Sequence, residues 1–340
     1  MMEEHPIRIH GTPTSPRTAR VRPHSVAMPA EGEGGVFTQS WFPVALASEL
    51  VAEQILGLEF LDGKIVLFRA PDGTVRAMSA YCPHVGADLS VGKIVDGRVQ
   101  CAFHHWEYST EGICVKTGIG DPPPKTACLF VFPVQERYGI IWVFNGEEPL
   151  FDLPQMPYPD DELVMSSYRF GQTLNCDPWV FAANTPDMQH LKVVHKIKFE
   201  TEETHELVQW HDYGLEFKYR GLHQGDVPID NTSGIRGTSV FYRWGLYDGF
   251  WRCNVTGFSL PRPGRHNVFS CSIVLAGPKS AEQLESVLAI SRRTVGEDKD
   301  ILNTIHYRQG LLTKADKSLG QFLAYLRKFP RAHPSAGFIN

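Results

Sequence analysis

Residues 82–106 read CPHVGADLSVGKIVDGRVQCAFHHW. The stretch holds Cys82-x-His84, an interval of sixteen residues, then Cys101-x-x-His104. Two thiols and two imidazoles, divided between two short loops, suit either a tetrahedral zinc or a [2Fe–2S] cluster with mixed ligation. Each Cys–His pair ends a strand-like run, Val75 to Tyr81 and Arg98 to Cys101, so two hairpin tips can clasp a two-iron rhomb from opposite sides. Zinc sites more often pair C-x₂-C with H-x₃₋₅-H, and the surroundings here favour the cluster. His105 follows His104 directly and adds a third imidazole. Spacing favours His104 as the ligand.

On these residues the stretch resembles the Rieske [2Fe–2S] motif, C-x-H-x(15–17)-C-x-x-H. The resemblance implies that Cys82 and Cys101 bind one iron, and that His84 and His104 bind the other. Family members commonly have Gly after the second His, where this chain has His105. Rieske proteins of respiratory and photosynthetic complexes carry an extra Cys in each cluster loop, joined as a disulfide. The matching positions here are Ala87 and Phe103, so the resemblance is to the oxygenase type.

A chain of 340 residues is long enough for two domains and a large buried core. With 42% hydrophobic and 21% charged residues, the composition is that of an ordinary soluble globular protein. A net charge of −5 argues against nucleic acid and anionic membranes as partners, and no run of eighteen apolar residues exists to span a bilayer. Beyond Cys82 and Cys101, the remaining cysteines (Cys114, Cys128, Cys176, Cys253 and Cys271) form no framework, as expected of buried free thiols in a reducing cytoplasm.

Residues 1–35 are rich in Pro, Arg, Ser, His and Gly without an apolar period, and read as a disordered tail. Arg8, Arg17, Arg20 and Arg22 loosely resemble a transit peptide, but its apolar face is missing. A plain extension, or an upstream start with Met28 as the more natural beginning, is the better reading. Order is expected from about Phe37. Residues 36–148 then read as a small all-β domain of short strands, with Asp62-Gly63, Asp72-Gly73 and Asp96-Gly97 as hairpin signals. A linker rich in Pro and acids, Glu147 to Asp161, separates it from residues 149–340. Strands are expected there around 163–177, 204–221, 237–259 and 266–277. One helix should begin near Thr185. A second should run from about Ser280 to Gly310, with Leu284, Leu288, Val295, Leu302 and Ile305 at helical intervals. Periodicity alone gives an α+β class. The resemblance implies a Rieske domain followed by a helix-grip (START-like) domain, a long helix lying in a curved antiparallel sheet.

A second metal site is expected in Asn184-Thr185-Pro186-Asp187-Met188-Gln189-His190-Leu191-Lys192-Val193-Val194-His195. Thr185 and Pro186 read as N-cap and first residue of a helix, which puts Asp187 in its first turn, on one face with His190. His195 lies about 140° further round an ideal helix, so both His reach one metal only if the helix is broken or bulged between them. Two imidazoles and a carboxylate with open positions make the facial triad of Fe(II) oxygenases. The stretch resembles that family's N-x-x-D-x-x-H-x(4)-H. The resemblance implies that His190 and His195 bind iron, and that Asp187 bridges to a cluster His of a neighbouring subunit and orients His190. It also sets Asn184 near the open coordination side. The third ligand is assigned to Asp298, with Asp300 as the alternative. His205, His211, His223 and His266 read as core or surface residues. Phe241, Tyr242, Trp244, Tyr247, Phe250 and Trp251 are candidates for a substrate pocket, about half of them simply core.

The resemblance implies a terminal oxygenase component of the short monooxygenase or demethylase type. It would use O₂ and electrons from a separate NAD(P)H-dependent flavin reductase or ferredoxin, since the chain lacks a G-x-G-x-x-G fingerprint. Its substrate would be a small aromatic or heterocyclic molecule, hydroxylated or demethylated at mononuclear Fe(II). A head-to-tail homotrimer would let the cluster of one subunit serve the iron of the next. The alternatives are a cis-dihydroxylating dioxygenase, a Rieske electron carrier without catalytic iron, and a zinc-stabilised binding module.

Overall fold

The computed structural model describes residues 27–305 and 310–340. Residues 1–26 of the expected tail lie outside the described residues. β1 (Phe37–Thr38) and β2 (Trp41–Leu46) lead into β3 (Leu56–Phe60), β4 (Gly63–Arg69) and β5 (Val75–Ser79). β6 (Lys93–Val95), β7 (Arg98–Gln100), β8 (Glu107–Tyr108) and β9 (Cys114–Lys116) form a separate antiparallel layer. β10 (Val131–Phe132), β11 (Val134–Arg137) and β12 (Ile140–Phe144) complete the sheets β3-β4-β5-β10 and β2-β12-β11.

β4 explains the stacking. Ile65, Val66, Leu67 and Phe68 are all fully buried, because side chains alternate across a strand and both faces are covered. Ile65 and Leu67 join Phe42, Phe60 and Ile141 in one core. Val66 and Phe68 join Met78, Leu89, Cys82 and Cys101 in another, so the two cysteines stand on the apolar floor of a packed layer. The hairpin signals are used unequally. Asp96 (φ 48°) and Gly97 (φ 74°) make the two-residue loop between Val95 and Arg98, as expected. Between β3 and β4 the loop is shifted by one residue, to Leu61 (φ 52°) and Asp62 (φ 65°), and Gly63 pairs with Phe60. Gly63 is required for clearance instead: a Cβ there would stand 2.3 Å from the Ile339 carbonyl oxygen.

The second domain comprises β13 (Leu163–Leu174), α1 (Pro178–Ala182), α2 (Met188–Val193), β14 (Ile197–Phe199), β15 (Gln209–His211), β16 (Gly214–His223) and β17 (Val227–Arg236). β18 (Val240–Tyr247), β19 (Phe250–Phe258), β20 (His266–Leu275), α3 (Ser280–Leu302), α4 (Lys317–Lys328), β21 (Arg331–Ala332) and α5 (Ala336–Ile339) follow. One curved antiparallel sheet runs β13-β20-β19-β18-β17-β16-β14, with β15 beside β16, and α3 lies against β20 and β13. β17 is absent from the sequence expectation because Pro228, Asp230, Asn231 and Gly234 read as loop. It is a strand because β16 and β18 pair with both of its edges. α3 ends at Leu302, short of the expected Gly310. Its buried stripe is Val287, Ser291, Val295, Asp298 and Leu302, two of them polar, in place of the expected line through Leu284 and Leu288. α4, with Phe322, Leu323 and Leu326 buried, is a further helix.

The two faces of the sheet have different neighbours. On β19, Trp251, Cys253 and Val255 pack with Trp41, Trp142 and Phe144 of the first domain. Arg252, Asn254 and Thr256 alternate with them and face a cavity walled on its other side by α3. The C-terminal residues return to the sheets of the first domain. β21 pairs with β1, and Ile339 is fully buried among Phe37, Phe42 and Phe60, so residues 331–340 complete the core of the first domain. Among the described residues no helix is long and apolar enough to cross a membrane. All seven cysteines are unpaired, and Cys128 is exposed, contrary to the expectation that the spare thiols are all buried.

The stretch 27–35, expected to be part of a disordered tail, is structured. Glu31 is 2% exposed, its N–H donates to Asp177, and its carboxylate accepts from the N–H and hydroxyl of Thr38. Burial pushes the Glu31 carboxyl up to about 7, against the pull of Arg331 at 3.5 Å. A carboxyl raised in the fold contributes stability below its unfolded pKa, near 4.5, and loses it as pH rises through about 7. Glu31→Gln removes that titration. It is expected to gain on the parent by about 2–3 kcal/mol between pH 5 and pH 8. Urea unfolding of both proteins at the two pH values measures this, and a constant difference would acquit Glu31.

Candidate metal centres

The two cluster loops are built alike. The Cys82 N–H donates to the Ala87 carbonyl (2.9 Å) and the Gly86 N–H to the Cys82 carbonyl (2.8 Å). The Cys101 N–H donates to the Trp106 carbonyl (2.9 Å) and the His105 N–H to the Cys101 carbonyl (3.1 Å). The fifth residue of each loop is left-handed: Gly86 at φ 81° and His105 at φ 56°. Cys82 and Cys101 are buried while His84 and His104 are exposed, with their ring centroids 4.7 Å apart. His84 stacks on Trp106 at 4.4 Å, and Phe103 covers His104 at 3.8 Å. The Tyr108 hydroxyl lies 2.9 Å from Cys82 Sγ. Burial, with the Cys101 thiol close by, pushes the Cys82 thiol up. Thiolates in such a place need a cation to hold them, so two sunken sulfurs beneath two exposed imidazoles fit an iron–sulfur cradle.

His105 pays for its position in backbone strain, since a left-handed residue with a Cβ is disfavoured. His105→Gly is expected to raise stability by about 0.5–1 kcal/mol, net of the freedom glycine gives the unfolded chain. A rise in Tm of the cluster-loaded protein would register it. A marked fall would mean that the imidazole itself braces the loop.

Asp187 is the N-cap of α2, not a first-turn residue as expected. Thr185 and Pro186 belong to the turn after α1, and the Asp187 carboxylate accepts the His190 backbone N–H at 2.9 Å. α2 stops at Val193, and the His195 N–H reaches back five residues to the His190 carbonyl at 3.4 Å. That break turns the two imidazoles together, with their Nε2 atoms 2.9 Å apart. Asp298, on the buried stripe of α3, brings Oδ1 to 3.3 Å from His190 Nε2 and 3.5 Å from His195 Nε2. All three ligand atoms lie within 4.8 Å of one another. Asp298 Oδ1 is buried and accepts no well-formed hydrogen bond. Burial lowers the His190 imidazole's affinity for a proton despite Asp298, which keeps it a neutral donor. An orphaned carboxylate oxygen and two imidazoles converging on one point fit a divalent cation with open positions. Asp300, the alternative third ligand, is exposed beside Lys299 at 3.7 Å and does not reach the site.

Glu297 is the site residue that sequence reasoning missed. Its Oε2 lies 3.3 Å from His195 Nδ1, so the ring's outer nitrogen donates and Nε2 is left with a lone pair facing His190. Its adjacency to Asp298 carried no signal, because neighbouring helical residues point about 100° apart. Asn184 and Asp187 share a surface recess with His190 and Asp298, rimmed by exposed Val193, Ile301 and Ile305. The recess and cavity at the triad share no lining residue with the groove around His84 and His104. His205, His211, His223 and His266 are core or surface residues, as read. His266, hydrogen-bonded to the Cys176 carbonyl at 2.8 Å, is pulled down to about 4 by burial.

A partly open cavity beside the triad is lined by Phe181, Leu191, Phe241, Phe258, Ile290 and Val295, with Arg243 and Arg252 among its polar residues. Of the aromatics considered for it, Phe241 is on its wall. Tyr242, Trp244 and Trp251 pack toward the first domain, and Tyr247 and Phe250 toward the core of the second.

Residues 40–132 match the family model of the Rieske [2Fe-2S] domain. The dicamba O-demethylase oxygenase component of Stenotrophomonas maltophilia is 33% identical over 167 residues, 48% of this chain and 49% of that relative. The cholesterol 7-desaturase of Bombyx mori is 33% identical over 165 residues, 47% of this chain and 36% of the relative. The chain thus spans less than half the length of these curated relatives. The crystal structure of dicamba monooxygenase bound to dicamba superposes with a TM-score of 0.67 at 22% identity, over 86% of this chain and 97% of that one. The Pseudomonas putida CBB5 NdmA structure with caffeine gives 0.65 at 18% identity, over 85% and 89%. The chain therefore carries a Rieske [2Fe–2S] domain followed by a domain with the fold of the Rieske non-haem iron oxygenases. A Rieske cluster and a mononuclear iron are the cofactors that the domain and the triad support.

Proposed function

We propose that the protein is a terminal oxygenase component that hydroxylates or demethylates a small aromatic or heterocyclic molecule. The observation that carries this is the pairing, in one chain, of a Cys–His cradle with a three-ligand site that opens onto a cavity. When bound, the cluster supplies electrons singly and the iron activates O₂. The protein's own part is arrangement. Cys82 and Cys101 would hold one iron of the cluster, and His84 and His104, exposed at the surface, would hold the other. Asp187 fixes the start of α2, and with it His190. Glu297 orients His195, Asn184 stands at the mouth of the site, and Phe181 and Phe241 give the cavity an apolar stretch of wall. Two O-demethylase oxygenase components among the relatives make a methoxy-bearing aromatic the favoured substrate.

Electrons would come from a separate reductase or ferredoxin. We further propose a head-to-tail homotrimer. Exposed Val85, Phe103 and Ile119 rim the cluster histidines, while Val193, Ile301 and Ile305 rim Asp187. Two apolar rims on different faces suit a heterologous ring, with Asp187 of one subunit meeting a cluster histidine of the next. A reducing compartment such as the cytoplasm suits seven unpaired thiols.

Iron and sulfide analysis with NADH-driven turnover tests the reading. About three Fe and two sulfides per chain, with formaldehyde released from a methoxyarene, are expected. Two Fe would indicate an electron carrier, and a cis-diol product the dihydroxylating alternative. Asp187→Asn is expected to keep both metals while slowing turnover about 10–100-fold, the scale typical of outer-sphere partners. Normal turnover in that variant would remove Asp187 from the electron path.

A further inference from the structure

We propose that the cavity recognises its substrate by a carboxylate, held by Arg252 with help from Arg243. The inference rests on the oxygenase reading for what happens to the ligand, but not for its charge. Arg252 is only 4% exposed and lies on the cavity wall. Its guanidinium carbon sits 3.8 Å from the centroid of the Tyr247 ring, and its Nε has no hydrogen-bond partner. Among the described residues no carboxylate forms an ion pair with Arg252 or Arg243. Arg243 donates only to the Ser233 hydroxyl, at 3.2 Å. The acid on this cavity's wall is Asp298, which belongs to the metal triad.

A buried guanidinium without a counter-charge is strongly unfavourable, and chains retain such a group where a ligand completes it. Burial, and after it Arg243, pulls Arg252 down to about 10, so it remains a cation at neutral pH. His223 nearby is pulled to about 4 by burial and by Arg243, Arg252 and Arg293, and stays neutral. The positive field in this corner is therefore the guanidinium groups' own. In the β18–β19 ladder Arg243 stands opposite Asn254 and Gly245 opposite Arg252. The two arginines are thus diagonal neighbours on one face of the sheet, a spacing from which two long side chains reach one ligand group. The planar fork of Arg matches the two oxygens of a carboxylate. His190, His195 and Asp298 line the same cavity from its other side, so a molecule anchored by its carboxylate lies against the metal site.

The test is calorimetric binding to the metal-loaded protein in chloride-free buffer. The probes are benzoate, 4-methoxybenzoate, phenylacetate and 1-naphthoate, each with its carboxamide. At least one acid is expected to bind about tenfold or more tightly than its amide, as a charge-assisted bidentate pair should. Arg252→Met is expected to abolish that preference by weakening the acid far more than its amide, and to raise Tm, because an apolar chain replaces a buried unpaired charge. A merely structural Arg252 would lower Tm instead. Arg243→Gln, at the less buried position, is expected to cut the preference several-fold, and carries the test if Arg252→Met does not fold. No acid preferred over its amide, or a preference that survives in whichever variant folds, overturns the proposal. Binding is read without turnover, so the two readings fail separately. Acid preference without oxygenation refutes the oxygenase, and oxygenation of neutral arenes with no acid preference refutes the carboxylate site.

Discussion

Asp298→Ala is expected to leave the cluster's absorbance and EPR signal intact while the mononuclear iron is lost and turnover falls by about a thousandfold or more, roughly 4 kcal/mol in the barrier. The reason is geometric. Asp298 Oδ1 is the carboxylate oxygen facing His190 Nε2 and His195 Nε2, and without it two imidazoles 2.9 Å apart must hold a dication alone. The cradle at Cys82 and Cys101 lies in a different core and should not respond. Folding should survive, since the substitution removes a buried acceptor that accepts no well-formed hydrogen bond. Iron analysis and cluster spectroscopy on one preparation decide it. Full iron content in the variant would pass the third-ligand role to another group.

Cys101→Ser is expected to do the opposite, removing the cluster and with it all turnover, whatever the state of the second iron. It should also destabilise the first domain by several kcal/mol, because the metal's binding energy is folding energy and is lost with the ligand. Cys101 is 1% exposed within a core that includes Val66, Phe68 and Leu89, so the serine hydroxyl is left in an apolar layer. Loss of the visible bands and a lower Tm are the readouts. A variant that kept a Rieske spectrum would require a different sulfur ligand.

What was legible in the sequence was what depends on local spacing. Cys82, His84, Cys101 and His104 announce themselves because each pair occupies one tight loop. His190 and His195 do so because a spacing of five positions between imidazoles that share one metal demands a broken helix, and α2 does stop at Val193. The rest depends on contacts between distant segments. Asp187 displaces Thr185 as the cap because the turn after α1 consumes Thr185 and Pro186. Glu297 and Arg252 matter because of which wall they face, and alternation names two faces without saying which is the cavity. β17 is a strand by virtue of its neighbours, against its own composition. Glu31 is buried by an acid and an arginine far along the chain.

The return of the C-terminus to the first domain also bears on how the protein comes into being. A nascent chain exposes all of β1 to β12 long before Arg331, Ala332 and Ile339 leave the ribosome. Until then Phe37, Phe42 and Phe60 lack the side chain that closes their core. The usual order, in which the leading domain matures first, therefore cannot finish here. The cluster-bearing half reaches its final state only after residues 331–339 are released, so a fragment cut at the linker would lack part of its own interior.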